Sequence, residues 1–486
     1  MIDIQVRLHD RFAVEFKTGY VVRQEGAGNE FMMNTWFFVP HSLDINASTY
    51  SKRDFYKDVK SNIRLITPVF SLQEIAGEES VPFAFLEAAF RGLVAGETPA
   101  RISEYEYQIK MFASIVKSAL REEVEHIVHN PVAGDREYLV EGYARRVREI
   151  ARRYRALRRV VNVSTVPKDA ISYYLFGDEY ISNLVEFHTF RLLEELRREV
   201  PACFEASRGV LMGLIREEVG YKRERGFLVV ERGSKEGNRA VIYRRGMLKK
   251  YAESELFLRA SKRRDGVWVE QVYYSLAAGL SMIFATVISF SFQRSFGNFT
   301  MPLFVALVVS YMLKDRIKEL ARYYFVHRLG RRYFDHKTTI RIKENAIGWI
   351  KEGFDFISEG RVPAEVMNMR ARPDLLEAEN RVAGERIILY RKLVRVDAVA
   401  LARYNQYDTS GVNDITRFNV ADFLEKMDGR EYNLYVPGEG DEYGTVVGEK
   451  VYYLNFLMQF RYDGRVNYRR FRLMLTRDGI QGIEEL

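Results

Sequence analysis

Residues 271–313 carry a single charged side chain. Gln271–Gln293 is a run of 23 residues without Asp, Glu, Lys, Arg or His, Ser295–Leu313 is another of 19, and only Arg294 separates them. As helices the two runs would be about 34 and 28 Å long, against a hydrocarbon core of about 30 Å. The segment between them, Gln-Arg-Ser-Phe-Gly-Asn at 293–298, has the Gly and Asn of a tight turn. The pattern predicts a two-helix transmembrane hairpin over 267–313. The competing assignment is a buried helical hairpin in a soluble core, which Ser275, Ser281, Thr286, Ser289 and Ser291 would suit.

Basic residues set the expected orientation. The 20 residues before 271 hold Arg259, Lys262, Arg263 and Arg264; the 20 after 313 hold Lys314, Arg316, Lys318, Arg322, Arg328, Arg331 and Arg332; the turn holds one. Basic flanks stay on the cytoplasmic side, so both termini are expected there, at the inner membrane if the cell is bacterial. Trp268, Tyr273, Tyr274 and Tyr311 lie where an interfacial aromatic belt would. The N-terminal alternation of Ile2, Ile4, Val6 and Leu8, with Asp3 and Arg7 between, reads as a strand and not as an export signal.

Within the hairpin, Ala277, Ser281, Ala285 and Ser289 recur every four residues, and Ala306 and Ser310 share that spacing. Small residues four apart let membrane helices approach closely, either within the hairpin or between copies in a homo-oligomer. Both runs lack the buried acids, bases and histidines from which transport and proton-relay sites are usually built, so the hairpin reads as an anchor.

The rest of the chain divides by period. Residues 1–100 read as a β-rich N-terminal region followed by a mixed connector with one helix near Lys52–Arg64. Residues 101–225 turn helical, a bundle of about four helices. Its clearest member places Val140, Tyr143, Val147, Ile150, Tyr154, Leu157 and Val161 at alternating spacings of three and four, a heptad seam with coiled-coil character. Over 226–266 a β-hairpin, Phe227–Glu231 with Ala240–Tyr243, is expected around Gly-Ser-Lys-Glu-Gly-Asn, then a pre-membrane helix over Leu248–Ser261. Residues 314–486 read as a cytoplasmic α+β domain. The fold class expected is therefore α+β and membrane-anchored, and both β-rich ends are free to share one sheet.

Charge is concentrated. Residues 141–160 hold eight Arg and two Glu. The arginines, including Arg145, Arg148, Arg152, Arg155 and Arg159, occupy every face except the seam. A solvated helix surface is one reading; contact with anionic lipid headgroups or a protein partner is the functional one. Nucleic acid is disfavoured, because no zinc-finger or RNA-binding signature accompanies the arginines. Glu122, Glu125, His126 and His129 are the one cluster resembling metal ligands, on the helix face opposite Leu120, Val124 and Ile127. A carboxylate–histidine bundle site needs a second such pair, and Glu186 with His188 is badly spaced for it.

Catalytic signatures are missing. There is no Walker A loop, no His-Glu-x-x-His and no Gly-x-Ser-x-Gly, and Gly26-Ala-Gly28 and Gly438-Glu-Gly440 lack the third glycine of a dinucleotide loop. Ser114 and Lys117 form a lone Ser-x-x-Lys. The one cysteine, Cys203, excludes an intramolecular disulfide. No cofactor is expected. The expected function is a non-catalytic scaffold, regulatory or assembly protein at the inner face of the membrane. The alternatives are a membrane-surface enzyme, possibly metal-dependent, and an anionic-lipid sensor.

Overall fold

A computed structural model describes residues 2–23, 29–132, 134–163, 166–324, 333–373, 375, 384–407, 411–440 and 442–486. Gly26, Gly28, Arg328, Arg331 and Arg332 lie outside the described residues. The chain is α+β, with sheets of antiparallel strands, and separates into two compact units that interleave in sequence. One contains residues 1–63, 259–406 and 410–486, the other residues 64–258 and 407–409.

The first unit is built on strands drawn from both ends of the chain. In order they are β1 (Ile2–Asp10), β2 (Ala13–Val21), β3 (Asn29–Val39), β4 (Val59–Leu65), β5 (Arg259–Arg264), β6 (His336–Ile342), β7 (Asn345–Ile357), β8 (Arg386–Val396), β9 (Gly411–Asn419), β10 (Glu431–Pro437), β11 (Tyr443–Glu449), β12 (Tyr452–Tyr462), β13 (Arg465–Thr476) and β14 (Gly479–Glu485). One sheet has the order β1-β2-β9-β4; another runs β14-β13-β12-β3-β8-β7-β6-β5; β10 and β11 form a separate, exposed ribbon. The N-terminal strand β3 thus lies between β8 and β12, with Trp36 opposite both Leu389 and Leu457.

The alternation that marks β2, β3, β9 and β12 as strands places Phe16, Phe37, Phe418 and Phe456 in one core between the two larger sheets. Phe16 meets Phe456 edge-on with centroids 5.3 Å apart, and Phe37 lies 5.2 Å from Phe418. Helix α1 (Lys52–Asp58) adds Phe55 to this core. The sequence led us to expect that helix to run to Arg64. It stops at Asp58, and the β-branched and alternating residues that follow form β4. On the opposite face of the larger sheet, Trp36, Phe38, Ile387 and Leu457 pack with Val362 and Val366.

The second unit is helical. Its elements are α2 (Leu72–Ala76), α3 (Val81–Val94), α4 (Pro99–Val128), α5 (Asp135–Ala156), α6 (Arg158–Val161), α7 (Lys168–Glu199), α8 (Pro201–Arg225) and α9 (Lys235–Ala252). The entire seam from Val140 to Val161 is buried, and α5 spends it against α4, α7 and α8 of its own unit. The hairpin expected within 226–266 is absent. Ser234, read as part of a turn, caps α9 by accepting a hydrogen bond from the Gly237 amide, and Glu236 follows in the first turn. The helix ends at Ala252, so the expected pre-membrane helix over 248–261 is helical only to that residue; a 3-10 turn follows at Ser254–Leu256, and from Arg259 the chain forms β5, the edge strand of the larger sheet.

In the first unit β5 leads directly into α10 (Val267–Phe296), which is followed by α11 (Met301–Tyr324). Gly266 makes the turn between strand and helix at φ 73°, and a Cβ there would press on the Tyr333 ring at 3.3 Å.

Candidate membrane hairpin and charged sites

Helices α10 and α11 pack on one another through small residues. Ala277 and Ser281 are the buried residues of α10, and Ala306 and Ser310 those of α11; Ala285 and Ser289 are half-buried. The hydroxyls of Ser281 and Ser310 donate to carbonyls of their own helices, at 2.9 and 3.0 Å, which removes the cost of turning them inward. The large apolar side chains point away. Leu276, Leu280, Ile283, Val287 and Phe290 are between 58% and 66% exposed. Moving five such side chains into hydrocarbon would gain on the order of 5–10 kcal/mol.

Among the described residues only α10 is long and apolar enough to cross a membrane by itself. The 19-residue second run is shortened because the turn uses its first residues and α11 starts at Met301. That leaves Met301–Leu313, about 20 Å of helix, before Lys314, Asp315 and Arg316. At the base of the pair, Arg264 binds Glu270 at 2.9 Å, Tyr274 donates to Glu270 at 2.9 Å, and the Arg322 guanidinium lies 5.1 Å from the Tyr274 ring. Trp268 is exposed, and Lys314 stands 4.3 Å from the Tyr311 ring.

The arginines of α5 divide into three kinds. Arg155 turns inward: it reaches Glu218 at 2.7 Å and Asp178 at 3.5 Å and stacks 3.5 Å from the Tyr221 ring. Arg148 binds Glu217 at 2.7 Å and Arg152 binds Glu149 at 2.6 Å, both at the surface. Arg145 and Arg159 are exposed and form no ion pair among the described residues. Arg145, Arg146, Arg148 and Arg152 line an open groove of about 710 Å³ with Gln73 and Tyr138. Its positive charge is largely spent, since Arg146 also binds Glu123 at 2.9 Å.

Glu122, Glu125, His126 and His129 are all exposed on α4 or its C-cap, and they do not converge. Glu122 takes the Ser118 hydroxyl and Arg121, Glu125 faces Arg191 at 3.6 Å, and the His129 ring meets the Glu125 carbonyl at 2.9 Å. Among the described residues no group of three or more His, Cys, Asp or Glu is arranged to hold a metal ion. Ser114 and Lys117 have structural partners: the hydroxyl donates to the Ala252 carbonyl at 3.1 Å and the ammonium pairs with Glu253. His188 is buried in the bundle, where desolvation pulls its pKa down to about 4. Cys203 is buried beside Ser207, 3.7 Å away.

Two buried ionic clusters were not anticipated. In the helical unit Lys222 is fully buried and binds Glu186 and Asn183, while Arg245 reaches Glu186 at 3.0 Å. Burial pushes the Glu186 carboxyl up, but the two cations outweigh it and hold the group below the usual carboxylate range. In the sandwich Lys392 is fully buried, paired with Asp414, 2.7 Å from the Thr416 hydroxyl and 3.8 Å from Glu352. Glu352 also takes Lys262 at 3.0 Å and the Tyr390 hydroxyl at 2.5 Å. Burial again raises its pKa, and Lys392 and Lys262 bring it below the ordinary range. A signal for this cluster exists in the sequence: Ile388, Tyr390, Lys392, Val394 and Val396 share one parity of β8, so the lysine falls on an otherwise core-facing row.

Compared with protein-family models, curated proteins and solved structures, the chain matches none.

Proposed function

We propose that the chain is a two-helix membrane protein whose α10–α11 hairpin anchors large cytoplasmic parts to the inner face of the membrane, where it acts as a non-catalytic scaffold, regulatory or assembly protein. The observation that carries this reading is the outward-facing apolar surface of the hairpin, packed on itself through small residues and covered by no other described element. A patch of that extent on a soluble protein marks an interaction site, and its length and belt of Trp and Tyr suit a bilayer.

The larger sheet supports two crossings over one. β5 ends at Arg264 and β6 begins at His336, and these residues are directly paired neighbours. A single crossing would put them on opposite sides of the membrane. The short apolar stretch of α11 is extended by Lys314 and Lys318, whose aliphatic stems can run along hydrocarbon with the ammonium in the headgroups. Both metal-dependent catalysis and a role for the α5 arginines as a continuous lipid face lose support from the dispersed Glu122–His129 cluster and the paired arginines.

Alkaline carbonate extraction of membranes, with the full chain and a form lacking residues 267–313, tests the anchor. The full chain is expected in the pellet and the deletion in the supernatant with its strand and helix circular dichroism retained. Release of the full chain would overturn the membrane reading.

A further inference from the structure

The strands that flank the hairpin bring together basic residues far apart in sequence. Across β5, β6 and β7 the register pairs Arg263 with Lys337 and Lys337 with Lys351, so the three side chains form a row on one face of the sheet. Trp349 lies on the same face, with the Lys337 and Lys351 ammonium groups 5.5 and 5.4 Å from its ring. Four residues further along, Arg259 pairs with Arg341. The acids facing this surface are few and paired: Asp265 binds Lys351 at 3.0 Å, Glu344 binds Arg259 at 2.6 Å, Asp355 of β7 takes Arg391 at 3.3 Å, and Glu30 of β3 lies opposite Arg395 of β8. Arg263, Lys337 and Arg341 form no ion pair among the described residues.

We infer that this face of β5–β7 is a docking platform for anionic phospholipid headgroups of the bilayer that holds the hairpin. The inference rests on the membrane reading of α10–α11. Arg263 precedes the first residue of α10 by four positions, at most about 14 Å of extended chain. The headgroup layer adds about 5–8 Å to each side of the hydrocarbon core, so the row stands within reach of it once α10 is inserted. Cations on neighbouring strands, held at a strand spacing of about 4.8 Å, match a layer of phosphates better than one deep pocket would. Trp349 supplies the amphipathic ring that prefers that depth. Its strand pairing makes the platform rigid, in contrast to a disordered basic tail.

The test uses the full chain in nanodiscs of phosphatidylcholine, alone or mixed with phosphatidylglycerol, and reads acetylation of Lys337 by an aqueous reagent, with exposed Lys60 as the internal reference. Anionic discs are expected to slow acetylation of Lys337 relative to Lys60 by roughly fivefold or more, the equivalent of about 1 kcal/mol for a basic residue at a charged surface. Salt at about 0.5 M should erase most of the difference, because screening then acts within about 4 Å. The Arg263→Glu/Arg341→Glu variant, in the same discs, should lose the protection while its hairpin stays inserted. Glycerol phosphate added to phosphatidylcholine discs should give none; full protection by it would assign the site to free phosphate and overturn the lipid platform. Equal labelling in both discs, with the hairpin shielded from protease, would also overturn the platform and leave the anchor standing. A full chain that enters neither disc would instead refute the anchor, and the platform with it.

Discussion

Removing the ammonium of Lys392 should be among the most damaging single changes in the sandwich. Lys392→Met keeps an unbranched stem of similar length but deletes a fully buried charge whose partners, Asp414 and Glu352, are themselves 1% and 4% exposed. Glu352 retains Lys262 and Tyr390, whereas Asp414 is left with the hydroxyls of Ser61, at 2.5 Å, and Thr416. The cost is therefore mainly one uncompensated buried carboxylate, about 3–5 kcal/mol. The double variant Lys392→Met/Asp414→Asn removes both charges and keeps an acceptor for Ser61, so it should recover most of that loss. Acid should help the single variant. In the native protein Glu352 sits below its ordinary pKa of about 4.3, so its contribution is complete above that value and disappears as pH falls through the depressed one. Without Lys392 burial dominates at Glu352, its carboxyl rises, and its protonation relieves part of the strain, so the penalty should shrink between pH 7 and pH 5. All three tryptophans, Trp36, Trp268 and Trp349, belong to the β unit, so urea unfolding followed by their fluorescence in detergent reports this unit alone. A single variant within about 1 kcal/mol of the native protein, or a double variant no better than the single, would refute the argument.

Three other outcomes follow from groups already placed. Asp58 accepts from the Tyr50 hydroxyl at 2.7 Å, and burial raises its pKa to about 6. The protonated form thus favours the fold, native stability should fall as pH rises from about 4 to 6, and Asp58→Asn should flatten that slope and add about 2 kcal/mol at pH 7; parallel curves for the two proteins would contradict it. His188, at a pKa of about 4, should cost the helical unit up to about 3 kcal/mol as pH falls from 6.5 to 4, because the unfolded chain takes the proton first. His188→Leu should abolish that loss, measured by helical circular dichroism. Ala277→Leu/Ser281→Leu should force α10 and α11 apart at a cost of about 1–3 kcal/mol per site, read as faster proteolysis at the hairpin turn without loss of strand signal; unchanged cleavage would count against close packing there.

What could be read beforehand depended on the range of the interactions. The seam of α5 and the four long helices are encoded in spacings of three and four within each segment. Ser234 shows the limit of local reading, because Gly-Ser-Lys-Glu-Gly-Asn suits a turn and a capped helix start equally well, and the apolar residues of α9 decide between them. The 19-residue run before Lys314 concealed where the helix would start, since the turn can take its residues from either side. The placement of β3 between β8 and β12 has no local signal at all: its partners lie about 350 and 420 residues downstream. Of the charged candidates, Arg155 shows why composition misleads. Seven other arginines in its segment leave it looking like surface, while Asp178 and Glu218 on other helices draw it inward.

The position of β3 also constrains how the protein can be made. Residues 29–39 leave the ribosome about 350 residues ahead of β8, and neither neighbouring strand exists until after the hairpin has been synthesised. At about 5–20 residues per second the strand waits on the order of tens of seconds for β8, with Phe37 and Phe38 and both hydrogen-bonding edges unprotected. If the hairpin enters the bilayer during that interval, the waiting strand and its late partners are confined to the same patch of membrane surface. A search through solution becomes a search within a tethered loop, whose closure cost grows only slowly with its length. The anchor would then serve assembly of the sheet as much as its location, and chains truncated before residue 386 should depend on chaperones for their solubility.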